Sequence, residues 1–372
     1  MKQFGITPNI LQFDKCCECC EYFQIGKGDL VFISDHTYAA FFKGRISEEA
    51  YIVNYRQYVK GEPTDVMVEQ IYADIQEIKY DRVFAIGGGT ILDVAKLFAL
   101  KNVLPVVDLF NKEIDIIKNK KLILIPTTCG TGSEVTNISI LELTAIHSKF
   151  GLAVDALYAD DAVLVPELLE NLPRSVFATS SIDALIHAIE SYTSPKANAF
   201  TQLFSKKAMT IILEGYQKII EQGDEVRQSL SKDFLLASTY AGIAFGNAGC
   251  AAVHAMSYPL GAVYHVAHGE ANYVMFTQVY KAYCAIKPEG AIAELNAFLA
   301  ERLGCSVESV YDELEKCLDQ MITKKALRDY GVKKSELADF TEAVMTKQTR
   351  LMANNYVPLS REQVLAIYEQ LY

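Results

Sequence analysis

Residues 82–100 read RVFAIGGGTILDVAKLFAL. Val83–Ile86 is a short, unbroken apolar string, the pattern of a parallel strand covered on both faces. Gly87, Gly88 and Gly89 follow, and the residues from Ile91 onward place apolar side chains at helical spacing. Strand, glycine turn and helix in that order make half of a βαβ unit. Glycines remove side chains where a diphosphate must approach the backbone. A helix starting near Thr90 offers free N–H groups and a positive dipole end to the same anion, and the Thr90 hydroxyl adds a donor. The stretch lacks the GxGxxG spacing, so taken alone it reads equally as a tight strand-to-helix turn.

The neighbouring segments extend the pattern. DLVFIS (29–34), AYIVNY (50–55) and LILIPTT (122–128) are further β-rich runs, and a helical pattern begins at Asp65. LILIPTTCGTGSEVT also leaves a strand into small donors, Thr127, Thr128, Thr131 and Ser133. Open parallel sheets bind ligands at the carboxyl ends of their strands. Asp35, just past the strand 29–34, suits a ribose hydroxyl and would repel an added 2′-phosphate, favouring NAD over NADP. It also suits a helix cap before HTYAAFF. From residue 173 onward the texture becomes helical throughout, with no convincing strand. The expected division is an α/β dinucleotide-binding domain over 1–172 and an all-helical domain over 173–372, with Leu172-Pro173 as the boundary.

The helical part holds most of the histidines. SSIDALIHAIE sets Asp183 and His187 at i and i+4, on one face of an otherwise apolar helix. A buried carboxylate and imidazole require partners or a metal. GCAAVHAMSYPLGAVYHVAHGEAN adds His254 and His268. One Asp and three His form an all-N/O donor set for Fe(II), Zn, Mn, Co or Ni, and ligand type does not choose among them. Each histidine alone also reads as a hydrogen-bonded core residue.

Of the 372 residues, 51% are hydrophobic and 22% charged, which excludes a disordered chain or a coiled coil. Lys and Arg number 35 against 46 Asp and Glu, for a net charge of −11. An acidic chain without a basic patch is not expected to bind nucleic acid or anionic membranes. The apolar runs are too short to span a bilayer, and the start lacks a secretory pattern, so a cytoplasmic protein is expected. Nine cysteines, an odd number, argue against a disulfide framework. Cys16, Cys17, Cys19 and Cys20 have no nearby Cys/His pair to complete a metal site.

GGGTILDVAK, PTTCGTGSEVT, DALIHAIESY and VHAMSYPLGAVYHVAHGEAN, in this order across nearly the whole chain, resemble the group III, iron-containing alcohol dehydrogenases. The resemblance implies a Rossmann-like α/β domain followed by a helical domain. It implies NAD and Fe2+ (or Zn2+) as cofactors, a small-molecule substrate and a homodimer. By position it assigns the metal to Asp183, His187, His254 and His268. It assigns cofactor contacts to Asp35, Gly88, Gly89, Thr90, Asp93, Thr127, Thr128, Thr131, Thr136 and Lys149. Among family members it points to those that interconvert 4-hydroxybutyrate and succinate semialdehyde. Another alcohol or diol dehydrogenase, a transhydrogenase and an inactive nucleotide-binding regulator stay open.

The chain departs from the family pattern at three places. Tyr258 stands where many members have a histidine, His265 where many have a non-titrating residue, and Glu62 where an asparagine is common. Tyr258 and His265 are therefore the expected proton carriers. A 4-hydroxy acid also needs a cationic anchor for its carboxylate. Arg174 and Arg350 are available, and spacing assigns neither.

Overall fold

Eight strands carry the α/β part of the chain. They are β1 (Asn9–Gln12), β2 (Asp29–Ile33), β3 (Tyr51–Asn54), β4 (Arg82–Gly87), β5 (Lys121–Pro126), β6 (Ile138–Leu143), β7 (Ser148–Ala153) and β8 (Asp161–Leu164). The computed structural model describes residues 3–58, 63–146 and 148–372. Glu62 and His147 lie outside the described residues. Six strands form one parallel sheet in the order β1-β8-β5-β4-β2-β3, and β6 and β7 form an antiparallel hairpin. The helices of this part are α1 (Cys16–Phe23), α2 (Asp35–Thr37), α3 (Asp65–Ile75), α4 (Gly89–Leu97) and α5 (Val106–Asn111).

The strands expected at 29–34, 50–55, 82–87 and 122–128 are all present. The apolar strings of β2, β4 and β5 are buried because helices cover both faces of a parallel sheet, whereas only Val53 is buried in the edge strand β3. The edge strand β1 and its neighbour β8, which also pairs with β5, are additions that local pattern did not single out. Each is four residues long and forms by pairing with the other across about 150 residues of sequence. Asp29 and Arg82 clamp β2 to β4 through two 2.7 Å hydrogen bonds, with Asp29 buried.

The remaining helices are α6 (Arg174–Thr193), α7 (Ala199–Gln222), α8 (Ser231–Ala248), α9 (Ala252–Tyr264), α10 (His268–Ile286), α11 (Ala291–Leu303), α12 (Val310–Asp319), α13 (Leu337–Lys347), α14 (Thr349–Met352) and α15 (Arg361–Leu371). No strand occurs there among the described residues. Every residue of α6 from Ser181 to Thr193 is buried, as expected for the central helix of a bundle. Asn198 caps α7 by accepting from the Phe200 and Thr201 N–H groups. Among the described residues, no single helix is long and apolar enough to cross a membrane.

The chain divides into a unit spanning Ile6–Leu172 and a second unit of Pro173–Tyr372 together with residues 3–5. Residues 3–5 thus belong with the helices rather than with the sheet that follows them. Phe4 stacks on Phe200 at 5.2 Å, and the Gly5 backbone exchanges two 2.9 Å hydrogen bonds with the Asn247 side chain. Cys16, Cys19 and Cys20 pack into the core of the α/β unit. Burial pushes the thiols of Cys19 and Cys20 up to about 12 and about 11, so they behave as small apolar side chains.

Candidate active site

Asp183 and His187 lie one turn apart on α6 and are both buried, 2% and 5% exposed. His187 Nδ1 is 3.8 Å from Asp183 Oδ2. His254, near the start of α9, places Nε2 3.6 Å from Asp183 Oδ1, and His268, the first residue of α10, places Nε2 3.7 Å from the same oxygen. Four metal bonds of ~2.1 Å in a tetrahedron put donor atoms roughly 3.4 Å apart. The observed separations are close to that. His254 Nε2 is buried with no hydrogen-bond partner among the described residues. An orphaned buried ring nitrogen facing a buried carboxylate is what a metal-binding cluster leaves in a protein-only structure. The residues fit a divalent ion.

The field of the cluster points the same way. Burial would raise Asp183, but His187, His268 and His254 together hold its carboxyl below the usual range. Burial would lower His254, yet the Cys250 thiol and the Glu190 carboxylate draw it well above an ordinary imidazole. The negative groups that hold a proton on the ring would attract a cation as well, which binds only by displacing that proton.

Packing fixes the rings. His187 stacks on Phe245 at 4.2 Å and on His254 at 4.6 Å. His254 Nδ1 is 2.6 Å from Glu190 Oε2, which orients the imidazole so that Nε2 turns inward. Glu190 is fully buried and also accepts the N–H groups of Ala251 and Val253 at 3.0 and 2.8 Å. Asn272, one turn after His268, donates to Asp183 Oδ1 at 2.7 Å. Gly269 allows the closest approach. A Cβ there would sit 1.9 Å from the Thr179 carbonyl oxygen, so only glycine lets α10 lie against α6 with His268 beside Asp183.

In the α/β unit the two glycine- and threonine-rich loops leave adjacent strands, β4 and β5, and Thr127 N–H donates to the Gly87 carbonyl at 3.0 Å. Gly88 is the residue before α4, so the helix starts at Gly89 and presents its first N–H groups there. A Cβ on Gly89 would meet Thr131 at 2.6 Å, so the glycine lets the second loop close on the first. Thr90, Thr127, Thr128 and Thr131 are all partly exposed on this rim. Asp35 follows β2, is exposed, and accepts a hydrogen bond from Asn54 at the end of β3.

Asp93 and Thr136 sit deeper. Asp93 accepts from Ser133 Oγ at 2.5 Å and Ile140 N–H at 3.1 Å. The fully buried Lys96 ammonium donates to Ser133 Oγ, to the Ile138 carbonyl and, at 3.4 Å, to Thr136 Oγ1. This network ties α4 to the second loop and to β6. Lys149 lies on β7 opposite Glu142.

Tyr258 lies one turn beyond His254 on α9, its ring 6.2 Å from that of His268. His265 is exposed and ends α9 in the left-handed conformation, with φ 54. Arg174 is not free. It pairs with Asp224 at 2.6 Å and donates to the Gln320 carbonyl.

Residues 23–166 match the iron-containing alcohol dehydrogenase model, and residues 177–372 match the C-terminal model of the Fe-containing alcohol dehydrogenase family. The chain belongs to the iron-containing alcohol dehydrogenase family. It is an enzyme, an oxidoreductase. It is 46% identical to 4-hydroxybutyrate dehydrogenase of Clostridium kluyveri over 372 residues, the full length of both chains. Long-chain-alcohol dehydrogenase 1 of Geobacillus thermodenitrificans is 36% identical over 341 residues, covering 88% of this chain and 84% of that one. The fold matches that of sulfoacetaldehyde reductase from Bifidobacterium kashiwanohense in complex with NAD+, with a TM-score of 0.84 at 21% identity, over 100% and 98% of the two chains.

Three residues of the cluster were not anticipated from spacing. Glu190 is three residues after His187, a helical spacing that was visible but unused. Asn272 is likewise four residues after His268. Cys250 corrects the expectation of a purely N/O environment. Donor atoms of His187, Cys250 and His254 lie within 4.8 Å of one another, beside the Asp183–His254–His268 group. Cys250 precedes α9, so its approach depends on the backbone turn at Gly249, with φ 79, and not on helical periodicity.

Proposed function

We propose that the protein is an NAD-dependent and metal-dependent dehydrogenase that interconverts 4-hydroxybutyrate and succinate semialdehyde. The full-length 46% identity to 4-hydroxybutyrate dehydrogenase carries the substrate assignment. The donor set around the orphaned His254 nitrogen supports the metal.

Asp183, His187, His254 and His268 hold the ion. The N–H groups at Gly88, Gly89 and Thr90 and the hydroxyls of Thr127, Thr128 and Thr131 receive the dinucleotide, with Asp35 at the ribose. Asp93 on α4, Thr136 in the second loop and Lys149 on β7 support these contacts. When bound, the ion supplies a Lewis acid toward the substrate oxygen and NAD(H) accepts or gives the hydride. The protein's own residues orient the reactants and manage the proton. Burial pushes the Tyr258 phenol up, so it keeps its proton at neutral pH and is suited to donate a hydrogen bond to the reacting oxygen. His265, exposed at the end of α9, is the second candidate for the proton path. All nine cysteines are free thiols, which supports a reducing compartment such as the cytoplasm. A homodimer is proposed from the family resemblance.

The test begins with protein purified without oxygen. Metal analysis is expected to find one divalent ion per chain, and NAD reduction with 4-hydroxybutyrate is expected to outrun that with 1-butanol or with NADP. A chelator is expected to abolish turnover, and Fe(II) to restore it. Turnover undiminished after complete metal removal would overturn the metal assignment. Light scattering at the peak of a sizing column reads the oligomer.

A further inference from the structure

The chain has six arginines in the helical unit, and four of them are spent. Arg174 and Arg227 pair with Asp224, Arg302 with Glu214, and Arg361 with Glu342. Arg328 and Arg350 have no ion-pair partner among the described residues. Arg328 belongs to the turn Leu327–Tyr330, whose next residue, Gly331, meets α9 at Tyr264. Tyr264 is ten residues from His254, about 15 Å along the helix. Arg350 is at the other end of α9's surroundings. It lies on α14, which packs against α9. The segment after it is pinned by Asn354, whose amide donates to the Ala248 carbonyl at 2.9 Å and the Cys250 carbonyl at 3.1 Å. Those carbonyls belong to the turn that leads into His254. Asn354 also accepts from Ser194 at the end of α6. Arg350 is thus exposed yet carried on a backbone fastened beside two of the three helices of the donor set, α6 and α9.

We propose that Arg350 is the carboxylate anchor of the substrate, holding the acid end of 4-hydroxybutyrate or succinate semialdehyde while the other end reaches the Asp183–His254–His268 cluster. This rests on the hydroxy-acid reading above. Arg350 is on α14 and Tyr258 on α9, and these two helices pack together; Tyr258 stands one turn from His254, with its ring 6.2 Å from that of His268. Arg350, Tyr258 and the donor set therefore belong to one region of the helical unit. A planar fork with no internal partner matches a carboxylate with two hydrogen bonds. An aldehyde or alcohol carrying a carboxylate would gain this contact. A neutral alcohol of equal length would not. The anchor also accounts for an unpaired cation in a chain of net charge −11, where surface arginines easily find acids.

The experiment compares wild type, R350Q and R350K in steady-state kinetics with 4-hydroxybutyrate and with 1,4-butanediol, its neutral analogue. Succinate serves as a dead-end inhibitor, and metal content is measured on every sample. R350Q is expected to lower the ratio of kcat/KM for acid over diol by about 10- to 100-fold, mainly through KM, and to weaken succinate inhibition in parallel. R350K is expected to recover part of the ratio, since it keeps the charge but loses the fork. R174Q, which breaks an ion pair far from this role, is expected to leave the ratio unchanged. Wild type that prefers the acid while R350Q keeps the same preference and the same succinate inhibition overturns the anchor alone. Wild type that oxidises the diol and ignores the acid overturns the proposed substrate, and the anchor with it.

Discussion

Glu190 does more for the cluster than its distance from the ion position suggests. It is a fully buried carboxylate that satisfies two backbone N–H groups at the start of α9 and fixes the His254 ring. Glu190→Gln keeps the shape but replaces a charged acceptor by a neutral one. Metal affinity measured by equilibrium dialysis is expected to fall about 10- to 100-fold, with turnover recovered at high metal concentration. Glu190→Ala also strands the two N–H groups and is expected to destabilise the helical unit by about 3 kcal/mol. Lys96 is the corresponding residue of the α/β unit. Burial lowers its ammonium while Asp93 sustains it. Lys96→Met leaves the Ile138 carbonyl and the Asp93–Ser133 pair without their shared donor. A loss of about 3 kcal/mol in urea unfolding is expected, together with weaker NAD binding through a loosened second loop.

Between elements, the decisive contact is that of α10 with α6. Gly269 has no room for a Cβ because the Thr179 carbonyl occupies that space. Backbone cannot rotate aside as a side chain can, so Gly269→Ala must push the helices apart. Its expected signature is loss of bound metal in a chain whose ligands are all intact, with a stability cost of about 1–3 kcal/mol. A Gly269→Ala protein that retains metal at full affinity would show that the donor set tolerates movement of α10. The α4 start is built on the same logic, with Gly89 admitting Thr131. In both places a glycine sets the distance between two functional segments.

Across the whole molecule, the acid limit of stability follows from carboxylates held below their ordinary range. Burial would raise Glu315, but the Lys324 ammonium and the Thr277 hydroxyl more than offset it. Arg227 and Arg174 hold Asp224 down in the same sense. A carboxylate depressed in the folded chain adds stability above its unfolded value, near pH 4, and loses it as pH falls through the lower folded value. Stability is therefore expected to fall as pH drops below about 4.5. Lys324→Gln is expected to flatten that fall and to cost about 1 kcal/mol at pH 7, read by chemical unfolding at several pH values. A variant with the same pH slope as wild type would remove this pair from the acid limit.

The residues themselves specified what local spacing can encode. The apolar strings of β2, β4 and β5 predict buried parallel strands, because a covered strand has no polar face to alternate with. Gly87–Gly89 mark the loop, and Asp183 and His187 at i and i+4 share a helix face whatever the rest of the chain does. Tertiary structure alone decided the remainder. β1 is an edge strand only because it finds β8 across the chain. Cys250 joins His187 and His254 through a backbone turn, and Arg174 is consumed by Asp224, fifty residues away. Arg350 reaches the surroundings of Tyr258 through a segment fastened by Asn354. Period and composition determine which face a side chain occupies. Which charge is left unpaired depends on long-range packing, because a partner is chosen by distance in space and not by distance along the chain.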